Sequence, residues 1–171
     1  MLSERLLRAM NEQVAKEWYS AGLYKAMEAY CQQEEFPGFA NWFKVQAQEE
    51  LVHGEKFFRF ISSVGDRAWV LGITEPRNDY SSLLEMAEYG LSHEKVVTAS
   101  INNLMDIARQ DNNHAAQIML QWFITEQVEE ESSFSLLVRK LKLVEGDGKG
   151  LLALDQELGA RVFTPPAGFI V

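Results

Sequence analysis

A glutamate and a histidine lie one helical turn apart in the segment QEELVHGEK, which spans residues 48–56. Glu50 and His53 occupy inward positions of an amphipathic helical pattern, where apolar side chains are expected. Residues three apart on a helix project from the same face. A carboxylate and an imidazole would therefore point together into the interior, where they could bind a metal ion, although Glu-x-x-His alone often arises by chance.

Three further predicted helices carry a carboxylate near the middle of their inward faces: Glu17 in the first, Glu94 in the third and Glu130 in the fourth. Glu94 and Glu130 each lie 18 residues from Asn112, in the turn that joins their helices. Glu17 and His53 lie 19 and 17 residues from the other turn. Four carboxylates and one imidazole thus meet at one level. Without a cation they would repel one another or become protonated, so we expect a polyvalent cation there.

Long helices must position these residues. Only four prolines interrupt the 171 residues, and three segments longer than ~25 residues contain none, which favours helices over strands. The predicted helices run from Ser3 to about Gln33, from about Gly38 to Val64, from about Tyr80 to Gln110, from the turn QDNNH to about Val144, and over LLALDQELGA.

The lengths of the links predict the topology. Short links make helices one and two, and helices three and four, antiparallel hairpins. The link over residues 66–79 is long enough to follow a whole helix. We therefore predict an all-α fold, a four-helix bundle with one long crossover between helices two and three, plus a short C-terminal fifth helix.

We expect residues 1–145 to form the bundle and residues 146–171 to form the short fifth helix and an apolar tail, FTPPAGFIV. The fifth helix could cover its own bundle or take part in assembly. Assembly is favoured because the helix exteriors carry more aromatic residues than a monomer normally exposes. These are Phe39, Trp42, Phe58 and Trp69.

Composition excludes several classes of function. A net charge of −9 argues against non-specific nucleic-acid binding, which needs basic surface. No apolar run reaches the ~20 residues that span a bilayer, and the N-terminal segment MLSERLLRAM is too charged for a signal peptide. The single Cys31 cannot form an internal disulfide or a CxxC metal site. We expect a cytoplasmic protein without membrane or nucleic-acid partners.

The donor set indicates the metal. Four carboxylates and one imidazole favour iron or manganese in a dinuclear site over tetrahedral zinc. Di-iron bundles use one Glu from each of two helices and a Glu-x-x-His from each of the other two. This chain matches that pattern except on the fourth helix, which carries Gln127-x-x-Glu130.

The chain resembles non-haem bacterial ferritin, of the ferritin-like di-iron family. Four separated segments carry the resemblance in the same order: EWYSAGLY, QEELVHGEKFF, LSHEKVVTASIN and ITEQVEEE. The resemblance implies that Glu17, Glu50 and His53 hold one iron. It also implies that Glu94 and Glu130 hold the other iron and that Glu50 bridges the two irons.

The same resemblance implies roles for residues around these ligands. Gln127 would be a hydrogen-bond partner of the centre, and Tyr24 would lie next to the first iron. A third iron position would use Glu49, Glu126 and Glu129, with Glu130 shared.

The resemblance further implies iron storage and detoxification. Fe(II) would be oxidised to Fe(III) by dioxygen or peroxide, two irons per subunit, at a ferroxidase centre without haem. Ferric oxyhydroxide would then be deposited inside a homo-oligomeric shell of 24 subunits.

Other functions are weighed against this one. A haem-bearing bacterioferritin would carry a second Glu-x-x-His and a methionine after the bridging glutamate, where this chain has Leu51. A rubrerythrin-like peroxidase needs four cysteines for its second iron site, and a DNA-protecting mini-ferritin usually lacks the fifth helix. Two alternatives stay open: a di-iron oxygenase acting on an organic substrate, and a structural bundle whose inward glutamates are salt-bridged.

Overall fold

The structure is a computed structural model that describes residues 1–165. These residues form five helices and no strand, which confirms the predicted all-α fold. The helices are α1 (Glu4–Gln33), α2 (Pro37–Ser63), α3 (Leu83–Gln110), α4 (His114–Leu143) and α5 (Gly148–Leu158). None of the helices in this part of the chain is long and apolar enough to cross a bilayer.

Short polar side chains begin most of the helices. Ser3, Ser82, Asn113 and Asp147 each accept a hydrogen bond from a backbone N–H of the first turn, which satisfies a donor that the helix itself cannot. The helix predicted from about Tyr80 therefore begins later, after the cap Ser82. α2 instead begins with proline at its first position, where the missing N–H costs nothing.

The link between α2 and α3, residues 64–82, runs along α1. At its start Asp66 accepts a hydrogen bond from the N–H of Leu2, and at its end the ring of Tyr80 packs on Tyr30. α3 ends beside the start of α1, where Arg5 pairs with Asp111. α3 is therefore antiparallel to α1 and parallel to α2, as expected for a four-helix bundle with one long crossover.

Two apolar clusters fill the bundle, one toward each end. The first contains Phe43 and Phe134 and extends to α5, and the second contains Phe57 and Phe123. The stacked rings of Phe57 and Phe123 lie 4.1 Å apart, centroid to centroid. The residues that separate the two clusters along the helices are buried and polar, so a polar layer crosses the middle of the core.

α5 packs on its own bundle. Leu154 and Leu158 join the first apolar cluster, and Asp155 accepts a 2.9 Å hydrogen bond from the N–H of Phe39. Gly38 lies so close to the backbone of Asp155 that a Cβ there would collide with it. Of the two interpretations of the fifth helix, the structure thus shows the covering contact within the chain.

The predicted exposure of the aromatic residues is wrong for two of the four. Phe39 is fully buried beneath α5, and Trp42 packs edge-on against Phe43 and Phe134. Phe58 is half-buried, and only Trp69, in the crossover, is well exposed, at 57%. Most of the predicted apolar tail, residues 166–171, lies outside the described residues.

Candidate metal centre

Four helices each bring a carboxylate into the polar layer, and α2 adds an imidazole. All five side chains belong to residues that are at most 4% exposed, although charged residues are rarely buried to this extent. They are Glu17 on α1, Glu50 and His53 on α2, Glu94 on α3 and Glu130 on α4.

One side of the layer joins α1 and α2. Glu17, Glu50 and His53 each offer one ligand atom, and these atoms lie within 4.8 Å of one another. Nδ1 of His53 is 3.4 Å from Oε2 of Glu50. The amide of Gln13 donates a 2.8 Å hydrogen bond to Oε1 of Glu17, which orients that carboxylate. Three potential ligands from two helices thus converge on one point.

One oxygen in this group lacks a hydrogen bond. Oε2 of Glu50 is buried and has no hydrogen-bond donor among the described residues. Burial raises the pKa of Glu50 well above its ordinary value, although the neighbouring His53 lowers it. Burial lowers the pKa of His53, but the charge of Glu50 and the close contacts with Glu126 and Glu50 outweigh it, so that pKa is raised well above its ordinary value. A cation fits this arrangement because its positive charge would balance the negative charge of the buried carboxylates.

The other side of the layer joins α3 and α4, and its carboxylates have neutral partners. The hydroxyl of Tyr24 donates to Oε1 of Glu94, and the amide of Gln127 donates to Oε2 of Glu94 at 3.1 Å. The amide of Gln46 donates to Oε2 of Glu130 at 2.8 Å. Amides and a phenol, rather than lysine or arginine, hold these carboxylates, which does not support the alternative of a salt-bridged structural bundle.

Burial dominates the ionisation of this second group. It raises the pKa of Glu94 to about 7, against hydrogen bonds from Tyr24 and Gln127 that lower it. It raises the pKa of Glu130 to about 8, and the charge of Glu94 raises it further. The hydroxyl of Tyr24, fully buried beside Glu94, has a pKa raised well above its ordinary value. Near neutral pH, protons and cations therefore compete for these two carboxylates.

The residues predicted for a third iron position are only partly brought together. Glu126 and Glu130 have ligand atoms within 4.8 Å of each other and of His53. Glu49 instead pairs with Arg161, at 2.7 Å between Oε2 and Nη2. Glu129 is exposed on α4.

Sequence reasoning missed several residues that contact the layer. Gln46 is a polar residue on the inward face of its helix, and Gln13 lies one turn before Glu17, so the helical pattern could have identified both. Thr98, which accepts a 3.2 Å hydrogen bond from Gln127 and donates a 2.6 Å bond to Glu131, had a weaker one. Arg161 had none, because its partner lies 112 residues away in the chain.

Known proteins share this fold and align with nearly the whole chain. Residues 7–144 match the family described as Ferritin-like domain. The bacterial non-heme ferritin of Staphylococcus aureus (strain USA300) is 44% identical over 163 residues, which cover 95% of this chain and 98% of that protein. This chain belongs to the ferritin family. The bacterial non-heme ferritin of Staphylococcus saprophyticus is 40% identical over the same shares of the two chains.

Solved ferritins agree with the whole structure. An engineered closed form of the Archaeoglobus fulgidus ferritin superposes with a TM-score of 0.94 at 41% identity, covering 96% of this chain and all of that one. The open pore ferritin from the same archaeon gives 0.93 at 41% identity, covering 95% and 100%. Membership of the ferritin family supports iron storage as the general role of this chain, and its structural neighbours suggest an oligomeric assembly.

Proposed function

We propose that this ferritin is a ferroxidase, which oxidises Fe(II) to Fe(III) at a dinuclear centre in the polar layer and deposits the product as ferric oxyhydroxide mineral inside its shell. The observation that carries the proposal is the convergence of Glu17, Glu50 and His53 around a buried carboxylate oxygen that has no donor. Buried carboxylates that no lysine or arginine neutralises among the described residues favour a bound cation.

Each side of the layer takes one iron. Glu17, Glu50 and His53 bind the first, and Glu94 and Glu130 bind the second, with Glu50 bridging the two. A third position uses Glu49, Glu126 and Glu129 with a share of Glu130. Carboxylates suit iron that must pass through, because they bind Fe(II) weakly and favour the harder Fe(III).

Neighbouring residues prepare the ligands. Gln127 and Tyr24 both donate to Glu94, so they hold its carboxylate in place before the second iron arrives. Gln13 does the same for Glu17. Iron is the substrate here, with dioxygen or peroxide as the oxidant, and the centre needs no haem.

The unit that performs this reaction is the bundle of residues 1–145, and α5 covers one end of it. We propose a homo-oligomeric shell of 24 such chains in the cytoplasm. Gel filtration tests the shell directly. A particle of several hundred kilodaltons supports storage, whereas a monomer or dimer would favour an oxygenase.

The oxidation of iron tests the centre. In air, Fe(II) added to the wild-type protein is oxidised rapidly, whereas the double variant Glu50→Ala, His53→Ala oxidises it no faster than buffer. The matched control, Glu88→Ala with His114→Ala, removes the same residue types outside the layer, from a half-buried glutamate that pairs with Lys142 and from an exposed histidine. It retains the wild-type rate. A double variant in the centre that folds, assembles and still oxidises iron at the wild-type rate would refute the proposal.

A further inference from the structure

The segment after α5 returns to the bundle and fixes Arg161 beside α2. The amide of Asn41 donates to the backbone carbonyl of Arg161 at 2.9 Å and reaches that of Leu158 at 3.3 Å. The guanidinium of Arg161 lies over the ring of Trp42, 4.9 Å from its centroid. The bonds from Asn41 fix the backbone of this segment, and the stacking on Trp42 fixes the guanidinium of Arg161.

Arg161 uses that position to hold a carboxylate. Its Nη2 donates to Oε2 of Glu49 at 2.7 Å, and the two side chains are only 26% and 22% exposed. A charge-assisted hydrogen bond that is shielded in this way is stronger than an exposed ion pair. Nη1 of Arg161 is buried without a hydrogen-bond acceptor among residues 1–165, so the guanidinium is only partly satisfied by Glu49.

Glu49 lies at the edge of the metal centre. Burial raises its pKa, while Arg161 and His53 lower it and Glu126 raises it again. The charges of His53 and Glu126, which offer ligand atoms to one candidate metal position, therefore also act on Glu49. A cation and the guanidinium of Arg161 would compensate the same negative charge, so they compete for one carboxylate.

We propose that Arg161 is a positioning residue that sets the cation affinity of the third iron position. Its guanidinium holds the carboxylate of Glu49 until a cation takes the place of the guanidinium. This inference rests on the proposed function, because the third position is part of it. The third position is then the weakest of the three. It fills after the dinuclear centre and releases its iron first, and the segment after α5 controls this order.

A binding titration tests the inference without any oxidation. Zn(II) has no redox chemistry and accepts carboxylate and imidazole ligands, so its binding to the assembled full-length protein is measured by calorimetry. Wild type shows strong steps for the dinuclear centre and one weak step. Arg161→Gln tightens the weak step at least tenfold and leaves the strong steps unchanged. Arg161→Lys, which keeps the charge but loses the stacked planar fork, gives a smaller gain.

Two further variants assign the gain to this ion pair. Adding Glu49→Gln to Arg161→Gln removes the gain, because the released carboxylate is gone. Arg8→Gln breaks an exposed arginine–glutamate pair on α1, with Glu12, and leaves every step unchanged. If Arg161→Gln does not assemble, the affinity of the weak Zn(II) step in Arg161→Lys provides the test.

The outcomes separate the two proposals. Strong steps together with a weak step that Arg161→Gln or Arg161→Lys leaves unchanged would overturn this inference alone. A gain that persists without Glu49 would also overturn it. A wild-type protein without strong steps would refute the proposed function, and this inference with it.

Discussion

The two sides of the polar layer are built differently. On the α1–α2 side, Glu17, Glu50 and His53 converge, and one oxygen of Glu50 has no hydrogen-bond donor in the part of the chain that the structure describes. On the α3–α4 side, Glu94 and Glu130 are separately held by amides and a tyrosine hydroxyl. The first side presents ligands around a common point, whereas the second keeps each carboxylate with its own neutral partner.

The difference shows how one core tolerates four glutamates. Neutral donors and protonation stabilise the second side while no cation is bound, because burial raises the pKa values of Glu94 and Glu130 to about 7 and about 8. On the first side, the charge of Glu50 raises the pKa of His53 instead. Because three ligand atoms already converge there, we expect the first side to bind a cation more tightly, and we expect both sides to release protons when they bind one.

The largest expected effect is a pH dependence of stability. The ordinary pKa of glutamate is 4.5, and Glu94 and Glu130 have higher values in the folded chain. The folded, metal-free protein thus keeps protons that the unfolded chain loses. The stabilisation is complete below about pH 4.5 and is lost as the pH rises through 7 to 8, by roughly 3–5 kcal/mol for each carboxyl in the free energy of unfolding. Denaturant unfolding with a chelator present measures it.

A control isolates these two carboxyls from the rest of the chain. The double variant Glu94→Gln, Glu130→Gln cannot titrate there, so its stability changes less over the same pH range. Added cation reverses the trend in the wild type, because metal binding needs deprotonated carboxylates. Equal pH profiles for the wild type and the double variant would show that the second side is already ionised.

The next effect concerns the first side. Bound Zn(II) stabilises the wild-type protein, by about 4 kcal/mol at a thousandfold excess over its Kd. Glu50→Gln removes the carboxylate that lacks a donor, so we expect it to lose most of this gain while unfolding at a similar or higher temperature without metal. Glu88→Gln is the matched control and keeps the gain. Thermal melts with and without metal measure the stabilisation of both variants. An undiminished gain in Glu50→Gln would show that Glu50 is not a metal ligand.

A smaller effect comes from two glycines, one on each side. A Cβ at Gly90 would collide with the fully buried ring of Phe134, whereas one at Gly54 would collide with the half-buried ring of Trp18. Overpacking costs about 1–3 kcal/mol. We expect Gly90→Ala near the upper value and Gly54→Ala near the lower one, because only Trp18 has space to move outward. Denaturant unfolding compares them.

Gly22 supplies the control, since a Cβ there meets nothing within 4 Å. Gly22→Ala should stabilise the protein by up to about 1 kcal/mol, as alanine does in an open helical position. The expected order would be wrong if Gly54→Ala proved the more damaging change, which would mean that the α1–α2 side is the more rigid of the two.

The smallest effect is that of Tyr24. Tyr24→Phe removes one hydrogen bond to Glu94, which costs about 1 kcal/mol. Because that bond lowers the pKa of Glu94, its loss raises this pKa further and moves the fall in stability to higher pH. Tyr80→Phe also removes a hydrogen bond, to the carbonyl of Arg77, but outside the layer. A shift of the pH profile in both variants would show that Tyr24 has no special link to Glu94.

The sequence predicts the bundle because local patterns determine it. Long proline-free amphipathic segments define the helices, and the lengths of their links define the order in space. Equal depth from the turns brings the side chains of Glu17, Glu50, His53, Glu94 and Glu130 together, and the structure places all five in one buried layer. Their roles as iron ligands stay a prediction.

The sequence does not predict contacts that depend on distant residues. α5 covers Phe39, and the guanidinium of Arg161 covers the ring of Trp42, which otherwise packs on Phe43 and Phe134. The partner of Glu49 is equally distant, so no helical period indicates that an arginine holds this carboxylate. The helical period of a sequence indicates the face on which a residue lies, but only the tertiary structure shows which residues cover that face.

The most direct test of the centre is a crystal soaked anaerobically with Fe(II) and measured for anomalous scattering at the iron absorption edge. We expect the strongest peak between Glu17, Glu50 and His53, and a second peak within reach of Glu94 and Glu130. Iron found only on the outer surface, with the polar layer empty, would contradict the account.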